Sequence, residues 1–143
     1  MNRWLKNAAL QQQSAGYSSS FVWTHDSPHV LAYYAIIGQS VTSDSLPNAV
    51  TGTNLADVPA ALIGKLAVDL SLQDDGNGGH LLVDAERRIW KSAQEGPGLR
   101  VVLVDAIDDA AEGFYEHFGY KPTGTIERRF YRKLSAIARD LNL

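Results

Sequence analysis

Gly64-Lys65-Leu66-Ala67-Val68-Asp69-Leu70-Ser71-Leu72-Gln73-Asp74-Asp75-Gly76-Asn77-Gly78-Gly79 joins an apolar segment to an amphipathic one through a glycine-rich turn. It starts inside an apolar run, Ala61 to Asp69, that reads as a buried strand. It then crosses a polar loop, Leu70 to Asn77, and enters an amphipathic helix from about Gly78 to Gln94. Leu81, Leu82, Ala85, Ile89 and Ala93 recur there at helical spacing, the stripe of a helix lying on a sheet. Glycines at the junction let backbone amides approach a bound group, and a helix start adds unpaired N–H donors with a favourable dipole. That combination suits a pyrophosphate, although a glycine turn that only starts a helix accounts for the same residues. The loop has no Gly-Lys-Ser or Gly-Lys-Thr and so is not a nucleoside-triphosphate loop. It also fails the dinucleotide fingerprint, because its third glycine is out of register.

Downstream, Gly96-Pro97-Gly98 ends the helix, and Leu99 to Ala106 is a second nearly continuous apolar run, as expected of a central strand covered on both faces. The strand, helix, strand unit predicts a parallel pair with a right-handed crossover. A short helix follows from Asp108 to Phe118, stopped by Gly119, and Glu127 to Leu134 reads as a last strand. Upstream, Arg3 to Ser14 predicts a helix. Ser20 to Thr24 and Val30 to Val41 predict an antiparallel hairpin turning at His25-Asp26-Ser27-Pro28, and residues 42 to 58 form an irregular excursion.

The 143 residues fit one domain and provide for a core burying roughly 68% of the unfolded surface without metal or disulfide staples. With 45% hydrophobic and 20% charged residues the chain is neither disordered nor fibrous. The absence of cysteine removes thiol catalysis, iron-sulfur ligation, cysteine zinc sites and disulfides, and suits a reducing cytoplasm. The longest apolar run, Val30 to Ile37, falls far short of a bilayer span, and the N-terminus lacks the apolar core of a signal peptide, so no membrane role is expected. A net charge of -3 argues against a general nucleic-acid coat. Residues 121 to 143 nevertheless hold six cations, including Arg128, Arg129, Arg132 and Lys133, against two carboxylates. They read either as a substrate-facing basic patch or as an ordinary solvated face.

The segment Gly64 to Asp69 with Ser71-Leu72-Gln73 and Gly76-Asn77-Gly78 resembles the acetyl-coenzyme A signature of the GNAT N-acetyltransferase superfamily, Gln/Arg-x-x-Gly-x-Gly/Ala. Ala110-Ala111-Glu112-Gly113-Phe114-Tyr115-Glu116-His117-Phe118-Gly119-Tyr120 resembles that superfamily's A-x-x-F-Y-x-x-x-G-F signature, in the right order and separated by the expected helix and strand. Trp4-Leu5, Ala9-Leu10-Gln11, Phe21-Val22, Ala32-Tyr33-Tyr34-Ala35 and Leu66-Ala67-Val68-Asp69 resemble, more narrowly, the GNAT-type toxins of bacterial toxin–antitoxin pairs. The resemblance implies an α/β GNAT fold, with a mixed central sheet splayed at the acetyl-CoA site and flanking helices. Relatives carry a further N-terminal segment with a first strand, whereas this sequence begins at the helix holding Trp4, so the expected sheet lacks that strand.

The implied chemistry is acetyl transfer from acetyl-CoA to an amine. Carried over from the family, the backbone at Leu66, Ala67 and Val68 pairs with the pantetheine arm, and Gln73, Asp74, Asp75, Gly76, Asn77, Gly78 and Gly79 hold the pyrophosphate. Relatives favour glycine or a basic residue at the positions of Asp74 and Asp75, where carboxylates repel phosphate. Tyr115 matches the family's general acid; with an ordinary pKa of ~10 it stays protonated at neutral pH. His25, His29, His80 and His117 show neither triad nor metal spacing, and no base stands out. An α-amine, titrating near about 8 against about 10.4 for lysine, needs a base less. The toxins acetylate the α-amino group of aminoacyl-tRNA, block translation and are neutralised by a small ribbon-helix-helix antitoxin; a homodimer is compatible. Two alternatives stay open at this level: a GNAT enzyme acetylating a small amine or protein lysine, and a catalytically weakened CoA-binding or antitoxin-binding module.

Overall fold

The computed structural model describes residues 18–24, 30–47, 57–68, 77–96 and 98–143. The expected helix at Arg3 to Ser14, the chain ahead of the first described strand, the turn at His25 to Pro28 and the loop from Leu70 to Gly76 lie outside the described residues. The elements are β1 (Ser18–Thr24), β2 (Val30–Thr42), a 3-10 turn (Ser43–Ser45), β3 (Asp57–Val68), α1 (Asn77–Glu95), β4 (Val101–Asp105), α2 (Asp109–His117), β5 (Lys121–Pro122), β6 (Arg129–Lys133) and α3 (Leu134–Leu141). They build a six-stranded sheet in the order β1-β2-β3-β4-β6-β5. Only β3 and β4 run parallel; the other neighbours are antiparallel, including the expected β1–β2 hairpin.

Side-chain alternation assigns the two cores. Val102 and Val104 face the buried residues Leu81, Leu82, Ala85 and Ile89 of α1 and Leu134 and Ile137 of α3. Val101 and Leu103 join Leu46, Val58, Ala60, Leu62 and Tyr131 on the opposite face. Coverage on both sides is why Val101 to Val104 is apolar at every position. It also explains why β3 begins at Asp57 rather than at the expected Ala61: Val58 and Ala60 are core residues on either side of Pro59, whose proline masks the strand.

Two elements differ from the sequence-based expectation. The last strand ends at Lys133, and Leu134, placed in that strand by its apolar character, opens α3 instead. Its N–H donates to the Arg100 carbonyl at 3.0 Å, tying the turn to the start of β4. The short β5 pairs with β6 through Lys121 and Pro122 alone, too short to leave a sequence pattern.

α2 is fixed at both ends. The Asp108 side chain caps its start by accepting from the Ala111 N–H at 2.8 Å. At its end, Gly119 adopts φ 90°. The Gly119 N–H bonds the Glu116 carbonyl at 3.0 Å and the Tyr120 N–H bonds the Tyr115 carbonyl at 3.0 Å, a Schellman closure that favours glycine.

α1 and α2 approach closely because α1 starts on glycines. A Cβ at Gly79 would lie 2.7 Å from Phe118 Cζ, and one at Gly78 would lie 3.4 Å from Phe114 Cε2. Gly79→Ala should lower stability by about 1 kcal/mol, since displacing the packed Phe118 ring outweighs the gain in helix propensity. Thermal unfolding checks this; an unchanged or higher melting temperature would show that the ring yields freely.

Candidate active site

The sheet opens beside β3. Pairing between β3 and β4 runs from Ala60 with Val101 to Ile63 with Val104 and stops there. β3 continues to Val68 along β2, while β4 ends at Asp105 paired with Arg129 of β6. A bulge drives the separation: Tyr33 pairs with Ala67 and Ala35 with Gly64, so β3 carries one extra residue near Lys65 and Leu66, which bends it. From Gly64 to Val68, the edge of β3 that faces away from β2 has no strand partner among the described residues. Leu66, Ala67 and Val68 lie on β3, as expected of a strand, along the edge that lacks a β4 partner. The Leu66 side chain packs against the main core, so this residue has a structural role as well.

The α1 N-terminus lies at the end of the same β3-to-α1 connection. Asn77 is the first helical residue, Gly78 and Gly79 follow, and the first turn carries no acidic residue to cancel its unpaired N–H groups. Gln73, Asp74, Asp75 and Gly76 fall outside the described residues. Gly78 and Gly79 have a further duty that the loop reading did not foresee, since both seat the aromatic face of α2.

Tyr115 lies on that face. It is buried at 6% exposure, with Phe114 edge-on at 5.3 Å and Tyr120 edge-on at 5.9 Å between ring centres. Burial, followed by the negative charge of Asp105, pushes its pKa up to about 12. The hydroxyl makes no hydrogen bond to a described side chain, yet no buried polar side-chain atom among the described residues lacks a partner. Its raised pKa keeps this hydroxyl protonated at neutral pH.

The four basic residues proposed from sequence do not form one patch. Arg128, held at φ 60°, pairs with Glu112 at 2.6 Å and Asp109 at 3.2 Å on α2. Arg129 clamps Asp105 with two bonds, at 2.8 and 2.9 Å. Arg132 points to the other face of β6, where it pairs with Asp140 of α3 and lies over Gly119. Lys133 is exposed and forms no ion pair among the described residues. Alternation along β6 puts Arg132 with Phe130 on the α1 side, and Arg129 and Lys133 with Tyr131 on the other. Arg128 and Arg129 are thus neutralised by carboxylates distant in sequence, and Arg132 by Asp140 of its own segment.

A pair that sequence reasoning missed lies behind Tyr115. Glu86, 2% exposed, accepts a 2.7 Å hydrogen bond from the Tyr120 hydroxyl. Burial raises the Glu86 pKa, against the lowering effects of Tyr120 and Arg132. A carboxyl whose folded pKa exceeds its unfolded value contributes stability that is full below the unfolded value and lost as pH rises through the folded one. Glu86→Gln, which keeps an acceptor without the charge, should therefore raise the melting temperature at neutral pH and leave it nearly unchanged at acid pH. An equal shift at both would contradict the titration.

A mixed sheet whose two parallel central strands, β3 and β4, part beyond Ile63 and Val104 is GNAT architecture, and similarity to known proteins agrees. No family profile matches the chain. A tRNA-acetylating toxin of Mycobacterium tuberculosis is 36% identical over 125 residues, covering 87% of this chain and 74% of the relative. The solved structure of AtaT complexed with acetyl-methionyl-tRNAfMet superposes with a TM-score of 0.85 at 23% identity, over 96% of this chain and 84% of that one. A mutant AtaT toxin bound to the C-terminus of the antitoxin AtaR and acetyl-CoA gives 0.79 at 22% identity, over 98% and 82%. The chain belongs to the GNAT-type tRNA-acetylating toxin family.

Proposed function

We propose that this chain is an acetyl-CoA-dependent N-acetyltransferase that acetylates the α-amino group of aminoacyl-tRNA, acting in the cytoplasm as the toxin of a toxin–antitoxin pair. The observation that carries this reading is the 36% identity to a tRNA-acetylating toxin across 87% of the chain. The split between β3 and β4, and a Tyr115 that burial keeps protonated, support it.

Acetyl-CoA supplies an acetyl thioester, whose transfer to an amine forms an amide and releases a thiol. The residues present fit it: the open edge of β3 at Leu66, Ala67 and Val68 offers backbone bonds to the pantetheine arm, and the α1 start at Asn77, Gly78 and Gly79 offers donors to the pyrophosphate. Gln73, Asp74, Asp75 and Gly76 complete that loop. Tyr115 donates to the departing sulfur. Its pKa of about 12 lies above an ordinary thiol's value of about 8.5, so full transfer to a thiolate is uphill and Tyr115 acts by donating a hydrogen bond to the negative charge that builds on sulfur. The same elevation keeps the donor intact in alkali. We expect turnover to rise as the amine deprotonates and then hold level to about pH 10, with no loss from Tyr115 in that range. A fall beginning near pH 9 would contradict it.

Of the four basic residues Arg128, Arg129, Arg132 and Lys133, only Lys133, on the face of β6 shared with Arg129, can meet tRNA phosphate without first breaking an ion pair seen among the described residues. The protein partner is a small antitoxin of the ribbon-helix-helix class. Expression of the chain alone should arrest growth, and co-expression of a small antitoxin encoded beside it should restore growth. Unimpaired growth at high expression would count against the toxin reading.

A further inference from the structure

Glu86 is a carboxylate in an apolar core, set on the inward stripe of α1 between Leu82 and Ile89, and acetyl transfer makes no direct use of it. Its bonding partner, Tyr120, follows Gly119 at the close of α2 and is itself 2% exposed. The Tyr120 N–H donates to the Tyr115 carbonyl at 3.0 Å, and its ring stands edge-on to Tyr115. Phe114 holds the other side of the Tyr115 ring and rests on Gly78. Tyr115 is therefore flanked by two aromatic neighbours, each seated on α1. On the Phe114 side the seat is a van der Waals contact. On the Tyr120 side it is a hydrogen bond, which fixes distance and direction as apolar contact does not. Packing alone would be served by an apolar pair, without the desolvation penalty of a buried carboxylate. The other charged groups acting on Glu86 are Arg132 of β6 and Asp140 of α3, and these pair with each other.

We propose that Glu86 and Tyr120 are positioning residues for acetyl transfer: Glu86 anchors the Tyr120 hydroxyl, so that Tyr120 holds the Tyr115 ring, and with it the donor hydroxyl, in line with the leaving sulfur. This rests on the reading of Tyr115 as the general acid. It assigns α1 two tasks, binding at its N-terminus and alignment two turns further on.

The test uses the full chain in four forms, Tyr120→Phe, Glu86→Leu, Glu86→Gln and the double Glu86→Leu/Tyr120→Phe, each assayed well below its own melting temperature. Two readouts are taken: turnover on charged tRNA, and NMR of the Tyr115 ring in substrate-free protein carrying labelled tyrosine. Tyr120→Phe and Glu86→Leu should each lower kcat by roughly tenfold to a hundredfold, as a misplaced catalytic group does. KM and acetyl-CoA affinity should stay within about twofold. Glu86→Gln should recover most of the kcat that Glu86→Leu loses. The double variant removes both polar partners, so it should regain stability but no rate, and its loss in kcat should not exceed that of the worse single variant. If Tyr120→Phe does not fold, the double variant carries the test.

In the NMR arm, the Tyr115 ring should give the signals of one held orientation in the parent and averaged signals in the double variant. Parental kcat in a folded double variant, or an unchanged Tyr115 ring, would overturn the proposal. A parent protein inactive on charged tRNA would refute the functional reading instead, and the ring signals would still decide the role of Glu86 and Tyr120.

Discussion

Tyr115→Phe is expected to slow acetyl transfer by about 10²-fold to 10⁴-fold while the protein stays folded and binds acetyl-CoA as before. The ring is what packs, edge-on between Phe114 and Tyr120, and the substitution keeps it. The hydroxyl has no hydrogen-bond partner among the described residues, so its loss leaves no buried group unpaired, and the melting temperature should move little. Only the proton donor disappears. Growth arrest should weaken in step with turnover. Full rate in the variant would remove Tyr115 from the chemistry; rate lost only together with the fold would make it a packing residue.

Arg132→Glu should destabilise the protein by about 2–3 kcal/mol, where a basic patch read from sequence predicts a selective loss of tRNA affinity. The Arg132 side chain is 14% exposed, pairs with Asp140, and lies against Gly119 where α2 closes. Reversing it sets a third carboxylate beside Asp140 and the buried Glu86. Asp140, at 56% exposure, is well solvated, which keeps the loss below that of a fully buried pair. Lys133→Glu, one residue on and on the other face, should leave the melting temperature nearly unchanged. If Lys133 meets phosphate, it should weaken tRNA binding and lower the salt slope by about one counterion or more. Calorimetric unfolding and binding at two salt concentrations check both variants. A stable Arg132→Glu protein with weakened tRNA binding would restore the patch.

What the sequence disclosed depended on range. The stripe from Leu81 to Ala93, the continuous run through Val101 to Val104 and the stop at Gly119 are local patterns with one physical solution each, and they appear in the structure with small shifts at their ends. The split of the sheet was legible only through the family resemblance, because the extra residue near Lys65 has no signature of its own; it emerges from the register against β2. α3 was legible in principle, since Leu134, Ile137, Ala138 and Leu141 have helical spacing, but Leu134 also continues the apolar texture of β6. The fate of the arginines could not be read. Arg129 is separated by 24 residues from Asp105, and only the β4–β6 pairing brings them together. Glu86 left a faint trace, being a charge at a stripe position between Leu82 and Ile89, where solvent exposure is the wrong expectation.

The most direct measurement is to incubate the purified chain with acetyl-CoA and total charged tRNA, digest the RNA, and identify acetylated aminoacyl-adenosines by mass spectrometry. If the chain has the proposed activity, one or more aminoacyl-adenosines will be acetylated on the α-nitrogen, present with the parent protein and nearly absent with Tyr115→Phe. Charged tRNA left unmodified by a folded protein that binds acetyl-CoA would contradict it, as would acetylation confined to lysine side chains or free small amines.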